Sequence, residues 1–281
     1  MPECIRMKPY HCIVLEVGVR KTVMKTTTAL AAFVAIGLAA PSVAKADTIQ
    51  LGFILDESGS ISSSSWSTIT GGLANAINTL IPIGGANVYE ISVVKFDSTA
   101  EVVVNRQLVT TAAQRTAVAN AVATASQDGG LTNYQAAFNL MQTVLTTGGN
   151  LPTLSFVNFA TDGEPNQPAN AQTAAVTARN ALIAAGIDNI SIEGIGVSLA
   201  AATFLQTSIC HPGPCDIIAP YNFPAQGFYI GVADAQGYVD AIGNKIQVVT
   251  QQETPEPASI ALLGVGLLGL GALRRRMAQG K

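Results

Sequence analysis

Three short stretches of this 281-residue chain carry oxygen-bearing side chains at spacings suited to holding a cation. They are Asp56-Glu57-Ser58-Gly59-Ser60, Gly129-Gly130-Leu131-Thr132-Asn133 and Thr161-Asp162-Gly163. Carboxylates and hydroxyls are hard donors, and a set poor in carboxylates suits Mg²⁺, which is octahedral and keeps several waters. Singly, each stretch has an ordinary explanation. Asp and Ser are favoured helix N-caps, and Ser62 to Ser65 read as caps. Gly129-Gly130 and Asp162-Gly163 would serve as turns. The chemistry requires one end of one sheet to carry all three.

The intervening sequence supplies such a sheet. Ile49 to Asp56 is an apolar run closing on a carboxylate, as a buried parallel strand does. Trp66, Ile69, Leu73, Ile77 and Leu80 then mark one helical face, ended by Pro82 and Gly84-Gly85. Val88 to Phe96 and Glu101 to Leu108 are joined by four residues, which only antiparallel strands allow, so they form an edge hairpin. Thr111 to Ala125 and Asn133 to Leu145 read as helices, and Thr153 to Ala160 as a strand running into Thr161. Ala169 to Ala185 is a helix, Asn189 to Val197 a strand, Gly227 to Val232 a short strand and Ala233 to Val249 a last helix. The alternation predicts a Rossmann-like, doubly wound α/β fold. Its central sheet is mostly parallel with one antiparallel edge strand, and helices cover both faces. In such a sheet the loops after the strands converge on one crevice.

Together, D-x-S-x-S, a Thr in a Gly-Gly loop and T-D-G after a strand resemble the metal-ion-dependent adhesion site of von Willebrand factor type A domains. The resemblance spans the first strand to the last helix. It implies one Mg²⁺ (or Mn²⁺) held by Asp56, Ser58, Ser60, Thr132 and Asp162, with the two carboxylates acting partly through water. It also implies a coordination position left for an acidic side chain of a protein or matrix partner, and in some members movement of the last helix. Glu57 and Glu164 have no ligand role in the pattern and read as exposed surface charge.

Both termini read as addresses. Lys25, the apolar stretch Ala29 to Ala40 and Ala44-Lys45-Ala46 make 24–46 a secretory signal peptide for the Sec route, cut between Ala46 and Asp47. Residues 1–23 fit neither signal nor domain and read as a mis-called extension before Met24. At the other end, 251–257 is a linker ending in Pro255-Glu256-Pro257. It is followed by the apolar run 258–273 and a basic tail, 274–281, opening with Arg274-Arg275-Arg276. This resembles the PEP-CTERM sorting signal of Gram-negative bacteria, which implies processing by an exosortase and either membrane anchorage or release to the cell surface or matrix. Sixteen apolar residues rise about 24 Å as a helix, somewhat short of a ~30 Å hydrocarbon core. The arginines would stay cytoplasmic and the domain, 47–250, would lie outside.

Composition agrees with that placement. From Asp47 to Thr254 there are 15 acidic and 5 basic residues, although the whole chain is only −3. So acidic a surface repels phosphate backbones, which excludes nucleic acid as a partner, and favours cations. Cys4 and Cys12 precede the signal, leaving Cys210 and Cys215 as an even pair that economically forms a disulfide in an exported domain. Their loop, Cys210-His211-Pro212-Gly213-Pro214-Cys215, lies in an irregular stretch from Leu199 to Gly227. It either is simply rigidified or stands beside the metal face and helps select the partner, and His211 reads as solvent-exposed. An enzyme is disfavoured, since there is no G-x-S-x-G elbow and no G-x-x-x-x-G-K-[ST] loop. A metal-assisted hydrolase would have to use Glu57 as base. The readings left are an adhesion or interaction module or, alternatively, a structural matrix or envelope component without a specific ligand.

Overall fold

The computed structural model describes residues 47–148 and 154–251. The signal segment with Ala46, Thr153, the Pro255-Glu256-Pro257 motif, the apolar run 258–273 and the basic tail lie outside them. Six strands form one sheet in the order β3-β2-β1-β4-β5-β6. They are β1 (Asp47–Asp56), β2 (Asn87–Phe96), β3 (Ala100–Val109), β4 (Leu154–Thr161), β5 (Asn189–Ile195) and β6 (Tyr229–Val232). Only the β2–β3 pair is antiparallel, and it places β3 at the edge. The fold expected from the sequence is the fold observed.

Strand alternation sends side chains to two helical layers. Leu51, Phe53 and Leu55 of β1 pack with α1 (Ser63–Leu80), α2 (Ala112–Ala123) and α6 (Ala235–Thr250). Ile54, Val157, Phe159 and Ile192 pack with α3 (Tyr134–Thr146), α4 (Ala171–Ala184) and α5 (Leu199–Phe204). The core thus lies on both sides of β1 and β4. Helices α1 and α6 approach closely, because a Cβ at Gly72 would lie 2.7 Å from Val239 Cγ2.

Local chemistry sets the helix starts. Ser62 caps α1, its hydroxyl accepting the Ser65 N–H at 3.1 Å. Thr111 and Gln114 form a reciprocal capping box on α2, which satisfies two otherwise orphaned amide groups. Asn133, directly after Thr132, caps α3 by accepting the Ala136 N–H at 3.1 Å.

The stretch from Leu199 to Gly227 corrects the reading of it as irregular. It opens with α5 and a π-helical turn, Leu205–Ile209, whose Leu205 and Ile209 are fully buried. Cys210 and Cys215 are joined by a disulfide. The stapled loop lies at the amino end of β5, where His211 and Ile190 exchange both backbone hydrogen bonds at 2.8 and 3.0 Å. That is the end of the sheet opposite Asp56 and Thr161, so the loop is not beside the metal face. His211 is half-buried rather than solvent-exposed. Burial, then the Arg179 guanidinium, hold its imidazole below the ordinary pKa.

Candidate metal centre

Asp56, the last residue of β1, is 2% exposed, and both its carboxylate oxygens are engaged. Oδ1 accepts the Ser58 N–H at 2.9 Å, and Oδ2 accepts the Thr161 hydroxyl at 2.6 Å from the end of neighbouring β4. Burial pushes its pKa up to about 6, against the pull of the Ser58 and Thr161 hydrogen bonds. Ser58 Oγ lies 3.1 Å from Ser60 Oγ, and Ser60 Oγ donates to Asp162 Oδ1 at 2.9 Å. Burial also raises the pKa of half-buried Asp162, opposed by the hydrogen bond from Ser60. Four of the five expected donors therefore form one connected set.

Thr132 reaches the same rim through its backbone. Its N–H donates to Asn166 Oδ1 at 2.8 Å, and its carbonyl accepts the Asn166 and Gln167 N–H groups at 2.9 and 3.2 Å. The first and second loops meet where the Gly59 N–H donates to the Gly130 carbonyl at 2.9 Å. Gly129 takes φ +72°, and a Cβ at Gly130 would lie 2.6 Å from both Asp97 Oδ2 and Ser98 Oγ. The glycine pair is thus required by a tight turn and by close approach of the β2–β3 hairpin. No hydrogen bond among the described residues joins the Thr132 hydroxyl to the other four donors.

Several residues support the site in roles that the sequence did not assign to them. Thr161 holds Asp56, Asn166 clasps Thr132, and Tyr134 donates to the Gly163 carbonyl. Trp66, in the first turn of α1, donates its indole N–H to the Ala125 carbonyl at 2.9 Å, close ahead of the second loop. Glu57 corrects the expectation of exposed charge. It is 2% exposed and pairs with Lys95 at 3.2 Å, because a carboxylate taken out of water needs a partner. Glu164 is half-buried and accepts a hydrogen bond from Gln172 at 3.2 Å.

The donor set fits a small hard cation. It offers three hydroxyls and two carboxylates, hard oxygen donors throughout. Adjacent oxygens about an ion with bonds of roughly 2.0–2.1 Å in octahedral geometry stand about 2.9 Å apart. The Ser58–Ser60 separation of 3.1 Å is close to that edge.

Comparison with known families decides the ancestry. The von Willebrand factor type A domain model matches residues 50–226. The chain belongs to that family. Beyond this A domain, the PEP-CTERM protein-sorting motif matches residues 253–276. Comparison with curated proteins gives no match. Among solved structures, the A domain resembles proximal thread matrix protein 1 from the mussel byssus with a zinc-occupied MIDAS motif. That match has TM-score 0.56 and 16% identity and covers 73% of this chain and 48% of that one. It also resembles the pilus adhesin SpaC from Lactobacillus rhamnosus GG, at TM-score 0.56 and 14% identity over 73% of this chain and 31% of that one. A third is the PilB minor pilin from Streptococcus sanguinis, at TM-score 0.55 and 13% identity over 74% and 62%. This chain covers less than two-thirds of each, and identities this low show a shared fold.

Proposed function

We propose that this chain is an exported adhesion or protein-interaction module that binds an acidic group of its partner through one Mg²⁺ or Mn²⁺ at the carboxyl edge of the sheet. The observation that carries the reading is the connected set Asp56–Thr161 and Ser58–Ser60–Asp162, drawn from loops after two adjacent strands. Asp56, Ser58, Ser60, Thr132 and Asp162 would hold the ion. When bound, the ion supplies an electrophilic position that a carboxylate oxygen from outside can fill. The chain's own residues make that position precise. Thr161 and the Ser58 N–H fix the orientation of Asp56, Ser60 aligns Asp162, and Asn166 holds the loop of Thr132. Such preorganisation leaves little ordering to be done when a partner arrives.

Other features support an exported binder. The structural neighbours include a matrix protein, a pilus adhesin and a minor pilin, and one of them holds zinc at the corresponding motif. The sorting motif, with Pro255, Glu256 and Pro257 ahead of the apolar run and the arginines, fits exosortase processing at a bacterial envelope. The signal segment 24–46, cut after Ala46, would start that route. Among the described residues no helix is long and apolar enough to cross a membrane, so anchorage would fall to 258–273. Glu57, the base a hydrolase would need, is committed to Lys95 and to the Asp128 N–H, which favours binding over catalysis.

The test is capture from cell-surface extract on the immobilised chain with Mg²⁺, with chelator and with Asp162→Ala. Partner capture and an Mg²⁺-dependent rise in melting temperature are expected for the native chain only. Capture that persists under chelation, or a melting curve indifferent to Mg²⁺, would overturn the reading.

A further inference from the structure

Lys95 is the penultimate residue of β2, yet Val93, Val94 and Phe96 around it are fully buried. Its ammonium lies 3.2 Å from the Glu57 carboxylate, 2.8 Å from Asp128 and 3.4 Å from Glu101. Those partners are not scattered. Glu57 stands between Asp56 and Ser58 in the first loop, and Asp128 directly precedes Gly129-Gly130 in the second. The two residues are also joined without the lysine, since Glu57 Oε2 accepts the backbone N–H of Asp128 at 3.1 Å. The Glu57 N–H in turn donates to the Phe96 carbonyl at 2.8 Å.

We propose that Lys95 is a positioning residue of the metal centre: by bridging Glu57 and Asp128 it holds the loop of Thr132 in register with the loop of Asp56, Ser58 and Ser60, and so sets the affinity for the ion. This rests on the metal reading above. The argument is geometric. Asn166 ties Thr132 to the loop of Asp162, but none of the hydrogen bonds of Thr132 reaches Asp56, Ser58 or Ser60, so its distance from those three depends on what fixes the second loop to the first. The Gly59–Gly130 hydrogen bond and Gln127, whose amide donates to the Ile61 carbonyl at 2.7 Å, fix the backbone on either side of Asp128. Lys95 is the charged group between those two fastenings. It also sets a positive charge against the buried Glu57 carboxylate, which stands between Asp56 and Ser58. Lys95 touches none of the five proposed ligands and acts on them only through the loops that carry them.

The test compares the native full chain, purified in detergent, with Lys95→Met/Glu57→Gln and with Asp128→Ala. The double variant removes both buried charges at once, and Glu57→Gln keeps an acceptor for the Asp128 N–H. Asp128 has a side chain 56% exposed, so its replacement threatens the fold least. Two readouts are taken: amide hydrogen exchange over 127–133 in chelator, and Mn²⁺ affinity by titration calorimetry. Exchange in that loop is expected to quicken in both variants while exchange in β1 and β4 holds. Mn²⁺ affinity should fall roughly 10- to 100-fold in the double variant and less in Asp128→Ala. Native exchange and native affinity in either folded variant would overturn the proposal. Failure of the native chain itself to take up Mn²⁺ has a different signature. It would overturn the metal reading, and the role of Lys95 in affinity with it, whatever the loop exchange shows.

Discussion

Lys95 and Lys245 are each 4% exposed, yet one faces three carboxylates and the other faces one. Lys245, on α6, lies 2.9 Å from fully buried Glu193 of β5 and 4.9 Å above the Phe228 ring. Burial lowers its pKa, and Glu193 offsets this only in part. Burial pulls on Lys95 too, but hydrogen bonds to Asp128 and Glu57 and the charges of Glu57 and Glu101 outweigh it and carry its pKa well above the ordinary value. The difference lies in the number of partners. A buried cation with several acceptors is securely charged, whereas a single pair in apolar surroundings stands near break-even. The secure lysine sits where loops must be held; the marginal one pins a helix to the sheet.

That contrast is open to direct attack. The largest effect is expected from Lys245→Ala, which leaves Glu193 buried and unpaired and should cost about 3–5 kcal/mol in urea denaturation. Lys245→Met/Glu193→Gln should restore most of it, and a double variant as unstable as the single one would remove the marginal-pair explanation. Next is the ion itself. At a concentration one hundred times Kd, chelation should lower stability by about 2.7 kcal/mol, with no change in Asp162→Ala, as read from paired melting curves. Glu101→Ala removes the most exposed partner of Lys95, at 58% exposure, and should change stability by only about 0–1 kcal/mol. A larger loss would mean that the three carboxylates act as a unit.

The smallest effect belongs to the stapled loop. Hydrogen bonds from the Asn222 and Ile218 N–H groups hold the Asp216 carboxyl below its ordinary pKa. A carboxylate depressed in the fold stabilises above its unfolded pKa, and that contribution disappears as pH falls through the folded value. The protection factor of the Asn222 amide, its exchange rate divided into the intrinsic rate at the same pH, should therefore fall on acidification below the usual carboxylate range, and Asp216→Asn should abolish that fall.

How much of this was legible in the sequence varies by residue. The sheet and its layers were, because apolar runs ending at Asp56 and Thr161 and helical faces such as Trp66, Ile69, Leu73 and Ile77 have clear periods. Strand ends place the first and third donor loops, whereas the second follows α2 and opens α3 and was marked only by its glycine pair. Glu57 was misjudged because a carboxylate in a loop reads as surface charge, and its partner lies 38 residues away on β2. The available signal was Lys95 itself, a lysine inside an apolar strand, which calls for a counter-charge. Glu193 in β5 and Lys245 among Ile242, Ile246 and Val249 carried the same signal. Helix α5 escaped because six residues give too little period to recognise, and Asn166 because a long-range amide clasp has no local pattern.

Trp66 is the only tryptophan in the chain, and it joins the first turn of α1 to the Ala125 carbonyl ahead of the second loop. Indole fluorescence responds to the polarity around the ring and to the bond at its N–H. The domain therefore carries its own optical gauge beside the region where the ion and the partner are proposed to act. Changes in the spacing of the two loops can be followed in emission intensity and wavelength, on unlabelled protein and in real time.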